Sequence, residues 1–167
     1  WQHPRFFAYF PSNASPPAIL ADFLTSTMAV NSLLWQTSPA ATEMETRMME
    51  WLRQAVGLSD GFAGVIQDSA SSATLAAVLT MRERSLNWQG NTKGLSNMPP
   101  LRLYCSGEVH SSIDRAVWVA GLGDSNIVRL PIEGPLRGLR AAAMRAAIIS
   151  DIAAGYKPAG IIASTGA

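Results

Sequence analysis

Apolar residues recur with helical spacing over the first third of the chain. One stripe runs through residues 17–35 and a second through residues 44–56. The spacing predicts two helices that each bury one face. The second helix has two candidate starts, because Ser38-Pro39 supplies a cap followed by proline, while Thr42 and Glu45 have the spacing of a capping box.

Beyond residue 57, short apolar runs alternate with longer helical patterns. This alternation is typical of an α/β domain with a mainly parallel sheet, in which helices connect the strands by crossovers. A stretch rich in asparagine, glycine and proline at residues 87–100 predicts a loop. The predicted strands are Phe62–Gln67, Leu101–Cys105, Ile127–Leu130 and Ala159–Ala163, and the predicted helices are Ser71–Leu86, Ser111–Gly121 and Pro135–Ala154.

The segment between residues 65 and 75 carries the strongest chemical signal. A short apolar run there ends in Gln-Asp-Ser-Ala-Ser-Ser and opens a helical pattern. Small side chains let a ligand approach the backbone, and the first amides of a helix are unpaired at the positive end of its dipole. With hydroxyl donors from Ser69, Ser71 and Ser72, this arrangement predicts an anion site, most often for phosphate. An ordinary serine N-cap is the alternative.

His110 is the second candidate. It follows the predicted strand Leu101–Cys105 and opens the next helix, which places it at the carboxyl edge of the sheet, where open α/β sheets bind ligands. The serine cluster is predicted at the same edge. An imidazole there can stack on a flat ring or exchange a proton near neutral pH, whereas helix capping or plain solvent exposure is the alternative. His3, in contrast, fits a surface histidine.

Composition narrows the classes of function. The chain is 48% apolar and 15% charged, which is low against a typical quarter and predicts helix faces covered by a larger body or by a subunit interface. A net charge of +1 gives no case for binding nucleic acid or an anionic membrane, and no apolar run is long enough to cross a bilayer. The single cysteine, Cys105, is typical of a reducing, cytoplasmic setting, and we expect it to be buried and unreactive.

Other groupings carry no predicted chemistry. Neither histidine has a partner at HExxH or CxxC spacing, so no metal site is predicted. Arg82, Glu83 and Arg84 are interpreted as a solvated helix face.

Five motifs occur in order along the chain. They are HPRFFAYFP at residues 3–11, Trp35 with Ser38-Pro39-Ala40, QDSAS at residues 67–71, HSS at residues 110–112 and ASTG at residues 163–166. In these the chain resembles the group II pyridoxal-phosphate-dependent decarboxylases, the aromatic-L-amino-acid decarboxylase family. The resemblance covers essentially all 167 residues. It implies part of a fold-type I, transferase-like α/β domain and a carboxy-lyase that uses pyridoxal 5'-phosphate and acts on aromatic L-amino acids such as tyrosine, DOPA or tryptophan.

The resemblance also implies roles for individual residues. Ser69, Ala70 and Ser71 match the loop that holds the cofactor phosphate, and His110 matches the catalytic histidine that stacks on the pyridine ring and helps to orient the substrate. Members of the family are homodimers with composite active sites. The positions that match the substrate pocket are Trp1, Tyr9, Phe10, Pro11 and Ser12 in an aromatic arm, together with Asn31 and Leu33 on a helix that reaches the partner's site.

Part of the expected chemistry is missing from these residues. Decarboxylation on this cofactor needs a lysine that binds it covalently and an acid paired with its pyridine nitrogen. The chain's two lysines, Lys93 and Lys157, both lie in polar turn-like segments, which do not suit that role. We therefore expect residues 1–15 to be the end of an N-terminal arm and residues 16–167 the first half of a cofactor-binding domain, in a fragment that is inactive alone. An aldehyde-forming or transaminating relative, or a non-catalytic truncated chain, are the alternatives.

Overall fold

The computed structural model describes residues 3–7, 14–134 and 138–164, and the chain divides into two compact units. The first unit is Trp1–Ile66 and the second is Gln67–Ala167. Among the described residues, no helix is both long and apolar enough to span a membrane.

The first unit contains two helices, α1 at Pro16–Met28 and α2 at Pro39–Ala55. Neither has a fully buried residue. The helix α1 ends earlier than the apolar stripe predicts. Ala29 adopts φ 48°, in the left-handed region, and its amide donates to the carbonyl of Ser26. The residues that follow form turns, so the prediction that the helical segment continues to residue 35 was wrong.

The helix α2 begins at the earlier of its two candidate starts. Pro39 occupies the first helical turn after the cap residue Ser38, where its missing N–H costs nothing. The Thr42 hydroxyl donates back to the carbonyl of Ser38 at 3.0 Å instead of capping the helix. The Glu45 carboxylate is used elsewhere, because it accepts a 2.8 Å hydrogen bond from the amide of Ile66.

The strand predicted at Phe62–Gln67 does not form, because this segment is extended but pairs with no strand in the described parts of the chain. It lies instead along α2. A Cβ at Gly64 would come within 2.8 Å of the Met49 Sδ atom. Apolar sequence alone could not distinguish these two ways of placing an extended segment.

The second unit contains a three-stranded parallel sheet, in which the strand at Leu101–Ser106 lies between those at Ile127–Leu130 and Lys157–Ile162. Its strands are β1 at Leu101–Ser106, β2 at Ile127–Leu130 and β5 at Lys157–Ile162, and its helices are α3 at Ala70–Ser85, α4 at Gly90–Lys93, α5 at Ser112–Val119 and α6 at Ala141–Ala153. A two-stranded hairpin, β3 at Ile132–Glu133 and β4 at Gly138–Leu139, precedes α6. The predicted α/β fold with a parallel sheet is confirmed. The last helix starts later than predicted, because Gly138–Leu139, which were assigned to it, form β4 instead.

Strand β1 carries helices on both of its faces, because successive side chains point to opposite sides of a strand. Leu103 and Cys105 belong to the buried core that includes Val78 of α3 and Val117 of α5. Tyr104 points the other way and contacts α6 through Asp151. Burial on both faces explains why β1 is an almost continuous apolar run.

Strand β5 approaches α3 closely at Gly160. A Cβ there would collide with the side chain of Met81 and lie 3.4 Å from Leu103. The register of β5 against β1 shifts between Arg102 and Leu103, so that Gly160 rather than Ala159 lies opposite Leu103. The glycine therefore permits close packing of helix on sheet.

Glu83 is buried, so the solvated helix face predicted for residues 82–84 was wrong at this position. Its side chain is 3% exposed and forms an ion pair with Arg82 at 2.9 Å, and its other oxygen accepts from the amide of Asn91. Arg82 in turn donates to the carbonyl of Ala120 at 2.8 Å. The ion pair of Arg82 and Glu83 therefore links the C-terminal ends of α3 and α5 to the start of α4.

Candidate active site

The N-terminus of α3 forms a small hydroxyl-lined cap. Ser69 is the N-cap residue, and its Oγ accepts a 3.2 Å hydrogen bond from the amide of Ser72. The hydroxyls of Ser69 and Ser72 lie 3.1 Å apart and share a further hydrogen bond. The amides of Ala70 and Ser71 donate to no other group among the described residues, and both side chains are exposed. Two helix amides are thus open to a ligand next to a pair of hydroxyls, an arrangement that suits an anion.

Asp68 adds a negative charge at this cap. Hydrogen bonds from the Ser72 hydroxyl, and to a smaller extent from the Asp68 backbone and Ser69, lower the pKa of its carboxyl below the ordinary value of 3.8. The group is therefore ionised at neutral pH and faces the same hydroxyls that a phosphate would use. An exposed carboxylate also interacts favourably with the helix dipole, so it competes with an anionic ligand for the same amides and hydroxyls.

His110 is held in place through one edge of its ring. The amide of Ser112 donates to Nδ1 at 3.2 Å, and the Ser112 hydroxyl lies 3.0 Å from the same nitrogen. Because the amide can only donate, Nδ1 accepts and the ring proton of the neutral imidazole is on Nε2. His110 is exposed, whereas Ser112 is only 8% exposed. The ring is therefore held through Nδ1, and its Nε2 makes no hydrogen bond to the residues that the structure describes.

The two candidate groups lie at the same edge of the sheet. His110 follows the carboxyl end of β1, and α5 begins two residues later. Helix α3 ends at the opposite edge, since Arg82 near its C-terminus bonds the C-cap carbonyl of α5. The two helices pack side by side and run in the same direction, so their N-termini both lie at the carboxyl edge. This is the arrangement that the sequence predicted for residues 69–71 and His110, and it is the ligand-binding edge of open α/β sheets.

The lysines lie away from this edge. Lys157 is the first residue of β5, and its amide donates to the carbonyl of Pro100 just before β1 begins. Lys93 lies in α4, and its ammonium group donates to the side chain of Gln89 at 3.2 Å. Both lysine side chains are exposed. Lys157 lies at the start of its strand, and Lys93 lies in the short helix that follows the C-terminus of α3. Both lysines are therefore separated from the α3 N-terminus and from His110.

The residues predicted for the substrate pocket have mixed outcomes. Trp1, Tyr9, Phe10, Pro11 and Ser12 lie outside the described residues. Asn31 and Leu33 lie in the turns between α1 and α2, which corrects their predicted position on a helix. The Asn31 side chain accepts from the amide of Leu33 at 3.2 Å, and the Thr37 hydroxyl donates to the Asn31 carbonyl at 2.8 Å. These bonds replace helical ones and explain why the helix does not continue.

Cys105 is fully buried, as predicted. Burial raises the pKa of its thiol, although the nearby Arg129 guanidinium acts in the opposite direction. The Arg129 side chain also forms an ion pair with Asp114 in the first turn of α5. A buried thiol of raised pKa is a poor nucleophile, so this cysteine serves packing.

Sequence reasoning missed the contributions of Ser112 and Asp68. In the sequence, Ser112 stands out only as the last residue of the HSS motif. A polar side chain such as that of His110 can accept a hydrogen bond from the backbone amide two residues later, which is a known capping pattern. Asp68 belongs to the QDSAS motif, in which a role is predicted for the serines but none for the carboxylate. Its involvement depends on how the carboxylate turns toward Ser72, which a linear sequence does not specify.

The residues present fit the phosphate end of pyridoxal 5'-phosphate. Open helix amides, neighbouring hydroxyls and the absence of a bulky side chain at Ala70 suit a phosphate group. The exposed imidazole of His110 at the same edge suits a flat ring. The Asp68 charge opposes an anion at this cap.

Comparison with known proteins identifies close sequence and structural similarities. The profile of the family described as "Pyridoxal-dependent decarboxylase conserved domain" matches residues 1–167. The chain is 38% identical to aromatic-L-amino-acid decarboxylase of Sus scrofa, over 99% of this chain and 36% of that protein. It is 32% identical to phenylacetaldehyde synthase of Arabidopsis thaliana, over 99% of this chain and 34% of that protein.

Among solved structures, tryptophan decarboxylase of Catharanthus roseus in complex with L-tryptophan superimposes with a TM-score of 0.82 at 30% identity. The match covers 92% of this chain and 33% of that one. The chain thus spans about a third of the length of the proteins it matches.

Proposed function

The chain belongs to the pyridoxal-dependent decarboxylase family, and on this premise we propose that it is part of a carboxy-lyase that removes the α-carboxyl group of an aromatic L-amino acid such as tyrosine, DOPA or tryptophan. The observation that carries the proposal is the location of the α3 N-terminus and of His110 at the same edge of the sheet. The identity to aromatic-amino-acid decarboxylases supports the substrate class.

In this proposal the first residues of α3 bind the cofactor phosphate. The amides of Ala70 and Ser71 donate to its oxygens, and the hydroxyl of Ser69 remains the helix cap. The bound cofactor supplies an electron sink for the bond that breaks. This binding fixes one end of the cofactor and leaves the other end to residues outside this stretch.

His110 orients the reacting groups. Its ring would contact the flat cofactor, and its Nε2–H would be available to donate to the substrate carboxylate. Both roles need a ring whose orientation is set beforehand, because a misplaced donor stabilises the reactive geometry poorly.

We further propose that the active protein is a homodimer, with residues 1–15 the end of an arm and residues 16–167 the first half of its cofactor domain. The support is the exposed apolar surface of α1 and α2, which includes Phe23 at 66% and Trp51 at 57% exposure. Surfaces of this kind are rarely left open to water. Sedimentation of the full-length protein tests the dimer.

The decisive assay uses the full-length protein, pyridoxal 5'-phosphate and amino acids labelled in the carboxyl carbon. We expect labelled carbon dioxide and an equal amount of amine. The second candidate, an aldehyde-forming reaction, is favoured by the similarity to phenylacetaldehyde synthase and would give aldehyde in place of amine. Carbon dioxide from none of the aromatic substrates would contradict the proposal.

A variant assay separates chemistry from folding. His110→Asn keeps an acceptor for the Ser112 amide, since asparagine is a good helix-capping residue, but removes the ring. We expect unchanged thermal stability and a fall in kcat of at least about tenfold, which corresponds to about 1.4 kcal/mol of lost transition-state stabilisation. Equal losses of stability and activity would indicate that His110 only caps α5.

A further inference from the structure

We propose that Ser112 is a positioning residue that fixes the ring orientation and the Nε2–H tautomer of His110. This inference rests on the proposed function, since it concerns how that histidine is presented to the substrate. Ser112 has no predicted role from the motifs, and its own side chain is almost completely buried, so it cannot act on a ligand directly.

Two donors from one residue converge on a single nitrogen. The Ser112 amide is 3.2 Å and its hydroxyl 3.0 Å from Nδ1 of His110. Since the amide N–H already points at Nδ1, that nitrogen carries no proton, and the hydroxyl can only donate to it. The ring then has its single N–H on Nε2, the nitrogen on the open side.

The rest of the local structure makes this contact rigid. Ser112 is the first residue of α5, and the amide of Ile113 donates to the His110 carbonyl at 3.0 Å. Ile113, Ala116 and Val117 on the same helix are buried, and Ala116 and Val117 pack in one core with Leu103 of β1. The ring is thus attached to a helix whose position is determined by the core, which is how a catalytic group is held in a fixed orientation.

The hydroxyl adds to what the backbone amide alone provides. With only the amide, the ring retains one longer hydrogen bond and can rotate about its side-chain torsions. A capping role alone would need the amide bond only, because the hydroxyl does not satisfy any further backbone group of the helix. The second bond therefore points to orientation of the ring rather than to helix formation.

Ser112→Ala in the full-length protein tests the inference. We expect kcat to fall about three- to tenfold, the factor that one ordinary hydrogen bond is worth, with a smaller change in KM and in the affinity for pyridoxal 5'-phosphate. Ser112→Thr keeps the hydroxyl and is expected to retain most of the activity. Ser111→Ala is the matched control, because the Ser111 side chain makes no capping hydrogen bond.

The tautomer gives a readout that does not depend on turnover. Long-range proton–nitrogen spectra of histidine-labelled protein report which ring nitrogen carries the proton, and the His110 signals are assigned by their loss in His110→Asn. We expect a single Nε2–H form in the wild type, in Ser111→Ala and in Ser112→Thr. In Ser112→Ala we expect a population of the second tautomer, because a ring held by the amide alone can rotate away from it.

The outcomes distinguish this inference from the proposed function. A wild-type kcat together with a wild-type tautomer in Ser112→Ala would overturn the role of Ser112. An inactive wild-type protein that still shows the tautomer change in Ser112→Ala would overturn the decarboxylase proposal and leave the link between Ser112 and His110 standing.

Discussion

The phenol of Tyr104 donates a 2.9 Å hydrogen bond to the Asp151 carboxylate and so joins the central strand to α6. Tyr104 is completely buried, and Arg102 lies near the same carboxylate while its guanidinium covers the ring of Tyr156 at 3.8 Å. The face of the sheet toward α6 is therefore held by a polar contact, whereas the face toward α3 and α5 is held by apolar packing.

Removing this hydrogen bond should cost stability. Tyr104→Phe keeps the buried ring, and we expect the free energy of unfolding to fall by about 1 kcal/mol, with a larger loss if the Asp151 carboxylate finds no new partner. Urea denaturation of the full-length protein measures the change. Tyr156→Phe is the control, since the ring that stacks on Arg102 is retained, and an equal loss in both variants would contradict the assignment.

The same contact predicts an alkaline dependence of stability. Burial, followed by the hydrogen bond and the charge of Asp151, raises the pKa of Tyr104 from 10.0 to about 12. Between these values the unfolded chain loses the phenolic proton while the folded state keeps it, so stability should fall as the pH rises through this window. Unfolding at several pH values should show a steeper decline in the wild type than in Tyr104→Phe, and parallel curves would contradict it.

Position 90 should not accept a side chain. A Cβ at Gly90 would collide with the buried carboxylate of Glu83, whose position is fixed by Arg82 and by the Asn91 amide. Gly90→Ala should therefore destabilise the protein by about 1 to 3 kcal/mol. Gly107→Ala is the matched control, because a Cβ there meets nothing within 4 Å. If the two variants melt at the same temperature, the contacts of Glu83 rearrange without a loss of stability, which would contradict this prediction.

The cap of α3 can be separated from its anion site by changing its charge. Ser69→Asp retains a good helix cap but brings a negative charge to the open amides. We expect an unchanged melting temperature and a weaker affinity for pyridoxal 5'-phosphate, measured by titration of the apoprotein. Ser69→Ala should instead lower the free energy of unfolding by about 0.5 to 2 kcal/mol, because the helix loses its cap. Unchanged affinity in Ser69→Asp would place the phosphate elsewhere.

Asp68 should act as a competitor for the phosphate. Its carboxyl has a lowered pKa because the Ser72 hydroxyl donates to it, so it stays charged at neutral pH. Asp68→Asn should raise the affinity for the phosphate group about two- to fivefold, in line with the effect of one charge at a helix N-terminus. The gain should shrink at high salt, since exposed charges are screened. A lower affinity in Asp68→Asn would mean that the carboxylate supports the site.

The location of the lysines leads to a chemical prediction. Both Lys93 and Lys157 lie away from the edge that carries His110. When the full-length protein is loaded with pyridoxal 5'-phosphate and reduced with borohydride, peptide mapping should find the label on a lysine outside residues 1–167. A stoichiometric label on Lys93 or Lys157 would contradict the site described for α3 and His110.

Much of the second unit was predictable because its elements have strong local signals. The strand at Leu101–Ser106 is an apolar run buried on both faces, and Ser69 stands where a helix cap is expected. These features depend on residues close in sequence. For the same reason the carboxyl-edge location of His110 followed from element order alone.

The errors arose where a particular polar contact or backbone conformation decides the structure. Ile66 does not pair in a sheet because Glu45 takes its amide, and Glu83 is buried because Arg82 and the Asn91 amide satisfy its charge. The end of α1 depends on Ala29 adopting a left-handed conformation, which alanine rarely does. None of these partners can be identified from hydrophobic spacing.

The glycine at position 160 also has an evolutionary consequence. Since the thioether of Met81 occupies the space where a side chain at position 160 would begin, the two positions cannot change independently. A library that varies both should recover alanine at position 160 chiefly alongside a shorter residue at position 81. Substitutions at these two positions are therefore coupled through side-chain volume, although the positions lie on different elements.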